Sequence, residues 1–244
     1  MSANLRFTAE LIRLLCVVAA LSVSGTVQAQ SLEVAPVNIE LPAGAMVTTL
    51  KVTNRGTEAT TIQVRAFAWD QEGGIDHLSA TDDLMLSPPI VEVAPGADQV
   101  IRLMLRHPAE AAEQPFRILV DQIPRPGAAG TVQLALRLSI PVFAEPATRV
   151  EPMLDWHVDS TGPALVATNK GTSHARIQSP ELSTPNAPNA QMLKVAAEVN
   201  PYVLPGATRR WRIAGPVTPG TTLRFTAMED TGRIDRTVSV GNTP

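Results

Sequence analysis

The feature that most constrains this chain is the run at residues 131–143, TVQLALRLSIPVF. Val132, Leu134, Leu136, Leu138, Ile140 and Val142 fall on one parity; Gln133, Ala135, Arg137, Ser139 and Pro141 fall on the other. Alternation with period two marks a β-strand with one apolar face, because successive side chains point to opposite faces. At about 3.3 Å per residue the strand would be roughly 43 Å long, more than twice the common length. One small domain cannot easily cover an apolar row of that length. Part of it lies under unusual cover or is offered to another protein, since an uncovered apolar edge is an aggregation hazard unless it serves a purpose. The run follows the Gly/Ala-rich residues 127–130 and sits at the junction of two similar halves. It therefore reads as the last strand of a first domain.

The two halves share their punctuation. Thr53-Asn54-Arg55-Gly56-Thr57 recurs 115 residues later as Thr168-Asn169-Lys170-Gly171-Thr172. Val93-Ala94-Pro95-Gly96-Ala97 recurs 110 residues later as Val203-Leu204-Pro205-Gly206-Ala207. Asn and Gly accept the positive φ of tight turns, and Pro-Gly sets a bend between strands. Matching turns in matching order imply two copies of one topology. Strand-like runs in the first copy lie at residues 32–41, 46–53, 60–69, 84–93, 99–106, 116–123 and 131–143, with a short helical turn expected at 109–114. In the second they lie at 153–158, 164–168, 175–182, 191–199, 208–214, 223–227 and 234–240, with an exposed loop at 183–190. Seven short strands per half predict an all-β protein of two immunoglobulin-like sandwiches, at residues 30–146 and 147–244, joined through the linker AEPATRV at 144–150.

Residues 1–29 carry Arg6 and Arg13, an apolar segment at 14–23 and the small-residue pattern Val27-Gln28-Ala29. This is the pattern of a secretory leader cleaved after Ala29, and the apolar segment is too short to span a bilayer. Its removal takes two of the 20 basic and one of the 23 acidic residues, leaving a formal −4, and takes the one cysteine, Cys16. The exported protein then has no disulfide, so its cores alone must hold it together. Mild acidity argues against a nucleic-acid partner. No later segment has eighteen uninterrupted apolar residues, so no membrane insertion is expected.

A search for chemistry returns little. Neither Gly-rich phosphate loop nor a Gly-x-Ser-x-Gly elbow is present. His77, His107, His157 and His174 are scattered and read as surface or turn residues. Asp70, Glu72, Asp76, Asp82 and Asp83 lack the regular spacing of a calcium loop and read, around Gly73-Gly74, as a solvated hairpin loop. Trp69, Trp156 and Trp211 are strand-borne and read as core packing. No catalytic residue, metal or cofactor is expected.

The order of APVNIEL, VTNRGTEATTIQVRAFAWDQEGG, LSPPIVEVAPGADQVIRL, FRILVDQIP and VQLALRLSIPVF, continued by LDWHV, TNKGTSHARI and YVLPGATRRWRI, resembles that of periplasmic pilus-assembly chaperones. The likeness covers essentially the whole chain after the leader and is most similar to the archaic branch. It implies two immunoglobulin-like domains in an L or boomerang, and an ATP-independent periplasmic chaperone for pilus subunits. The chaperone would lend an edge strand to a subunit sandwich lacking its last strand and pass the complex to an outer-membrane usher. It also implies self-association when no subunit is bound. The run at 131–143 occupies the lending position. Val132, Leu134 and Leu136 are expected to enter the subunit, Leu138 stands at the limit, and Ile140 and Val142 are expected in the chaperone's own domain.

One departure matters. Where classical members place an arginine in the first strand and a lysine late in the lending strand to hold the subunit's terminal carboxylate, this chain has Pro36 and Pro141. The archaic pattern implies Arg117, after the aromatic residue of FRILVDQIP. Arg137 is a second candidate, because its strand should neighbour that of Arg117. Either guanidinium can hold a carboxylate bidentately. The competing class is a secreted two-domain adhesin or carbohydrate-binding module, which would need an aromatic platform on one face.

Overall fold

The computed structural model describes residues 32–124, 134–184, 192–196 and 200–241. Val132, the leader and most of the loop expected at 183–190 lie outside them. The first half contains β1 (Leu32–Ala35), β2 (Ile39–Leu41), β3 (Val47–Asn54), β4 (Thr60–Glu72), β5 (Ile75–Ala80), β6 (Leu84–Ser87), β7 (Ile90–Val93), β8 (Asp98–Leu105), β9 (Gln114–Ile123) and β10 (Arg137–Ala144). The second contains β11 (Leu154–Asp159), β12 (Ala164–Asn169), β13 (Ala175–Ser183), β14 (Met192–Val195), β15 (Tyr202–Val203), β16 (Thr208–Ala214), β17 (Thr222–Glu229) and β18 (Gly232–Gly241). The described residues contain no helix.

In the first half a four-stranded sheet, β1-β3-β8-β6, faces a six-stranded one, β2-β10-β9-β4-β5 with β7 on β4. This is the immunoglobulin arrangement of strands. Alternation builds the core between them. On β8, Ile101, Leu103 and Leu105 are buried while Val100, Arg102 and Met104 face out. They meet Leu50, Val52, Ile62, Val64, Phe116, Ile118, Ile140 and Val142. In the second half the strands run β14-β16-β12-β11-β18-β17-β13-β15, and an added β14–β13 pairing closes the circuit. Its core is built on Trp156, Trp211 and Phe225. All-β structure and two sandwich cores are thus as the sequence implies.

Several elements differ from the sequence reading. The strands expected at 32–41 and 84–93 are each two strands, separated at Pro36 and at Pro88-Pro89, and their pieces join different sheets. Proline has no N–H to give a ladder, so pairing stops there and the chain crosses over. The hairpin loop expected around Gly73-Gly74 is present as a two-residue turn, with Glu72 opposite Ile75 and both glycines at positive φ, 59° and 84°, but the strand that follows it, β5, is not among those expected. All six residues of β5 are exposed, so no burial alternation marked the strand. Residues 109–113 form irregular chain rather than a helical turn. The Glu113 N–H is spent across the molecule on the Thr172 carbonyl, at 2.9 Å.

The repeated turns are explained by two buried asparagines. Asn54 Nδ2 donates to the carbonyls of Glu58 (2.7 Å) and Val93 (3.0 Å), and its Oδ1 accepts from the Gly56 N–H (2.9 Å). Its backbone is paired with Gly96 and Ala97. Asn169 repeats every bond: Nδ2 to Ser173 (2.7 Å) and Val203 (3.1 Å), Oδ1 from Gly171 (2.9 Å), backbone to Gly206 and Ala207. Each side chain thus pins the Thr-Asn turn to the Pro-Gly turn of the same sandwich. Asn169→Ala strands buried partners, each costing about 1–3 kcal/mol, and we expect a loss of about 2–4 kcal/mol. Lys170→Ala, which removes an exposed pair with Asp155, should change stability by less than about 0.5 kcal/mol. Denaturant unfolding followed through Trp156 and Trp211 fluorescence checks both.

Candidate binding site

Strand β10 changes character along its length. On one side it pairs with β9 from Arg137↔Asp121 to Ala144↔Gln114. On the other it has only β2, parallel, and only at Val142, Phe143 and Ala144. From Pro141 back toward Leu134 that edge has no strand beside it among the described residues. Burial follows the same gradient. Val142 and Ile140 are in the core, Leu138 is half-buried against it, Leu136 is 37% exposed and Leu134 is 87% exposed.

The strand expected from residue 131 is assigned only from Arg137, and Leu134–Leu136 have extended chain without a ladder. Gln122 still reaches across, its N–H to the Leu136 carbonyl at 2.8 Å and its Oε1 accepting from the Leu136 N–H at 3.4 Å. Beyond it β9 ends at Ile123 and Pro124, so Leu134 has no donor opposite. Of the four expected donor positions, then, Leu134 and Leu136 are exposed, Leu138 belongs partly to the first core, and Val132 lies outside the described residues.

The two candidate arginines share the outer face of this sheet but not an environment. Arg137 is bonded through Nε to Asp121, whose other oxygen accepts from Arg65 Nη2 at 2.7 Å. Burial alone would raise the Asp121 carboxyl, but the hydrogen bonds and charges of these two arginines outweigh it and hold the group below its ordinary range. Arg117 stands in register with Pro141 on one side and Phe67 on the other. Its guanidinium lies 3.8 Å over the Trp69 ring, and its Nη2 donates to Asn200 Oδ1 at 3.2 Å. It makes no ion pair among the described residues. Burial pulls its pKa down, opposed by the Asp76 charge, although a guanidinium stays protonated.

What surrounds Arg117 is the contact between the halves. Trp69, Phe143, Tyr202, Leu204 and Ala207 form a third buried cluster, distinct from both cores. Trp69 and Phe143 occupy the outer parity of β4 and β10, and the turns after Asn200 close over them. Phe143 stacks on His174 at 3.6 Å, and His174 Nδ1 is 2.9 Å from both oxygens of buried Glu113. Trp69, read from the sequence as core, therefore packs between the halves, and His174, read as a surface or turn residue, is half-buried there. Gln71 bridges the same gap, donating to the Tyr202 carbonyl and accepting from the Leu204 N–H, both at 3.0 Å.

Asp76, on exposed β5 just after the hairpin turn, takes part in this junction too. Its Oδ1 accepts from Trp69 Nε1 (3.1 Å) and Gln71 Nε2 (2.8 Å) and pairs with Arg209 Nη1 (3.3 Å); its Oδ2 accepts from Asn200 Nδ2 (2.7 Å). Burial pushes this carboxyl up, but the bonds from Asn200 and Gln71 and the charge of Arg209 prevail and hold it down. The sequence draws attention to Asp76 only as part of an acidic hairpin loop, and no pattern points to Asn200. They are 124 residues apart, and only the docking of the halves brings them together.

Residues 31–149 match the model of the pili and flagellar-assembly chaperone family, PapD N-terminal domain. No curated protein matches the chain. Among solved structures the chain is similar to one in the CsuC–CsuE chaperone–tip adhesion subunit pre-assembly complex from the archaic chaperone-usher Csu pili of Acinetobacter baumannii. Identity is 21% and TM-score 0.65, over 88% of this chain and 100% of that one. It is similar also to one in the complex of SafA pilin with the SafB chaperone of Salmonella enterica, with 14% identity and TM-score 0.63 over 87% and 99%. The CupB2 chaperone of Pseudomonas aeruginosa is 17% identical with TM-score 0.58, over 86% and 100%. These likenesses extend the two-sandwich fold across both halves.

The depressed Asp76 predicts an acid-labile junction. A carboxyl whose folded pKa lies below its unfolded value contributes fully above the unfolded value, about 4, and loses that contribution as pH falls through the folded one. Asp76→Asn should therefore unfold at a lower temperature than wild type at pH 7, and the gap should close as pH falls below about 4. Thermal unfolding from pH 7 to pH 3 checks the sign.

Proposed function

We propose, from the premise that residues 31–149 belong to the pili and flagellar-assembly chaperone family, that this protein is an ATP-independent periplasmic chaperone that caps pilus subunits by lending them β10. The single observation that carries the reading is the open edge of β10, continued by the exposed side chains of Leu134 and Leu136. A subunit sandwich short of one strand exposes an apolar groove and two rows of unpaired backbone groups. A lent strand supplies the backbone partners, and each large apolar side chain placed in the groove contributes roughly 1.5–3 kcal/mol before ordering costs. Leu138 is where donation ends, because the chaperone's own core already holds it.

The same edge supports a direction for the subunit strand. β2 runs parallel to β10 and blocks its edge from Val142 onward. A subunit strand laid parallel to β10 on the free stretch would end beside Pro141. Arg117 is the cross-strand neighbour of Pro141 and carries no bound carboxylate, whereas Arg137 is already held by Asp121. Arg117 is thus the better placed anchor for a terminal carboxylate. The leader at residues 1–29 fits export to the periplasm, the two halves at 30–146 and 147–244 fit the family's pair of domains, and delivery of capped subunits to an outer-membrane usher follows from the same reading.

The strand assignment predicts a parity effect. Leu134→Glu and Leu136→Glu would each drive a charge into an apolar groove, and recovery of a co-expressed subunit should fall sharply. Ala135→Glu, on the other face, should cost much less. Thermal unfolding of the free proteins should be unchanged in all three. Unfolding of the free leucine variants would make these positions core, and equal capture by all three variants would remove the strand from the site.

A further inference from the structure

Arg117 and Asp76 belong to the same half and face the same junction, and Asp76 is the charge acting most strongly on Arg117. Yet they form no ion pair. The amide of Asn200, from the other half, bonds to both of them. Its Oδ1 accepts from Arg117 Nη2 at 3.2 Å and from the Tyr202 N–H at 3.2 Å, while its Nδ2 donates to Asp76 Oδ2 at 2.7 Å. The backbone of Asn200 is fixed in turn, its carbonyl accepting from Arg209 Nη2 at 3.2 Å. The remaining oxygen of Asp76 is occupied by Trp69, Gln71 and Arg209.

We propose that Asn200 is a positioning residue that separates Arg117 from Asp76 and so keeps the guanidinium open to a carboxylate brought by the bound subunit. An amide satisfies both neighbours by hydrogen bonding without neutralising either. A guanidinium beside a carboxylate would otherwise form the stronger charge-assisted, often bidentate, pair, and that internal pair would compete with the incoming one. Trp69 beneath the guanidinium holds it from the other side, at 3.8 Å. The second half then contributes to the anchor without touching the subunit strand itself. This inference rests on the reading of Arg117 as the anchor.

The test uses the full chain co-expressed with a pilus subunit, once with its natural C-terminus and once with a Gly-Ser extension that displaces the carboxylate. The readout is the ratio of the two subunits recovered with the chaperone. We expect the wild type to favour the natural terminus by about tenfold, the worth of one hydrogen bond to a charged group. Arg117→Ala should bring the ratio to one. If the wild type shows no preference, or Arg117→Ala keeps it, the anchor assignment falls and the role of Asn200 with it.

Given that loss in Arg117→Ala, Asn200→Ala should lose most of the preference because Arg117 closes onto Asp76. Adding Asp76→Asn should restore it, since the competing carboxylate is gone. Preference retained in Asn200→Ala overturns the role of Asn200 alone, as does a double variant no better than the single one, which is the mark of simple structural damage. If Asn200→Ala does not fold, Asn200→Asp carries the decision. It has the same size and sets a carboxylate against Arg117, so loss of preference supports the inference and retention overturns it.

Discussion

One strand has to satisfy two surroundings at once, and the rest of the molecule is arranged around that constraint. At its C-terminal end β10 is buried on both faces: Ile140 and Val142 in the first core, Phe143 in the contact between the halves. At its N-terminal end it keeps one edge and its apolar row uncovered. On that edge β2 stops at Val142, while β9 runs along the other edge to Arg137 and ends at Ile123. A strand lent by an unanchored segment would lose its binding energy to ordering, because every residue fixed costs about 1–2 kcal/mol. Burying the far end of the same strand sets its direction and register.

The two sandwiches use the same parts to different ends. Asn169 repeats the bonds of Asn54, and each half closes its last strand in parallel against a strand near its start, β10 on β2 and β18 on β11, the latter over only two residues. The difference lies in the overhang. β17 turns directly into β18, with Glu229 opposite Gly232, so Ile234, Val238 and Val240 all lie over the second core. Ahead of β10, by contrast, Leu134 and Leu136 are exposed, and the apolar row continues beyond its own core. One topology thus gives a closed strand in one half and a strand with an open edge in the other.

The junction joins these roles. It is apolar at the centre, where Trp69, Phe143 and Tyr202 pack with ring centroids 5.2–5.8 Å apart. Around them lies a polar network in which Asp76, Gln71 and Asn200 satisfy one another. Polar groups partly withdrawn from water cost little only when each finds its partner, so a network of this kind favours one relative placement of the halves. Arg117 lies at its margin, held by an aromatic face and a neutral amide.

Local chemistry in the chain was enough to establish the all-β class, the duplication and the special strand. Alternation from Val132 to Val142 has one physical meaning, and turns built on Asn-x-Gly and Pro-Gly leave a mark at known offsets. Pro36 and Pro88-Pro89 were legible as breaks only once the sheets were seen, because a proline stops a ladder but does not say which sheet the chain joins next. β5 escaped notice because a fully exposed strand carries no burial pattern. Arg117 and Arg137 could not be separated by sequence, since both sit at outward positions of neighbouring strands. Their difference is set by Asp121 in one case and by Trp69 and Asn200 in the other. Trp69, Asp76, His174 and Asn200 became a site only through the docking of two halves, which brings together residues as far apart as Asp76 and Asn200, 124 positions. Periodicity and turn chemistry act between near neighbours in sequence, whereas the electrostatic surroundings of a buried charge depend on whatever the fold brings against it.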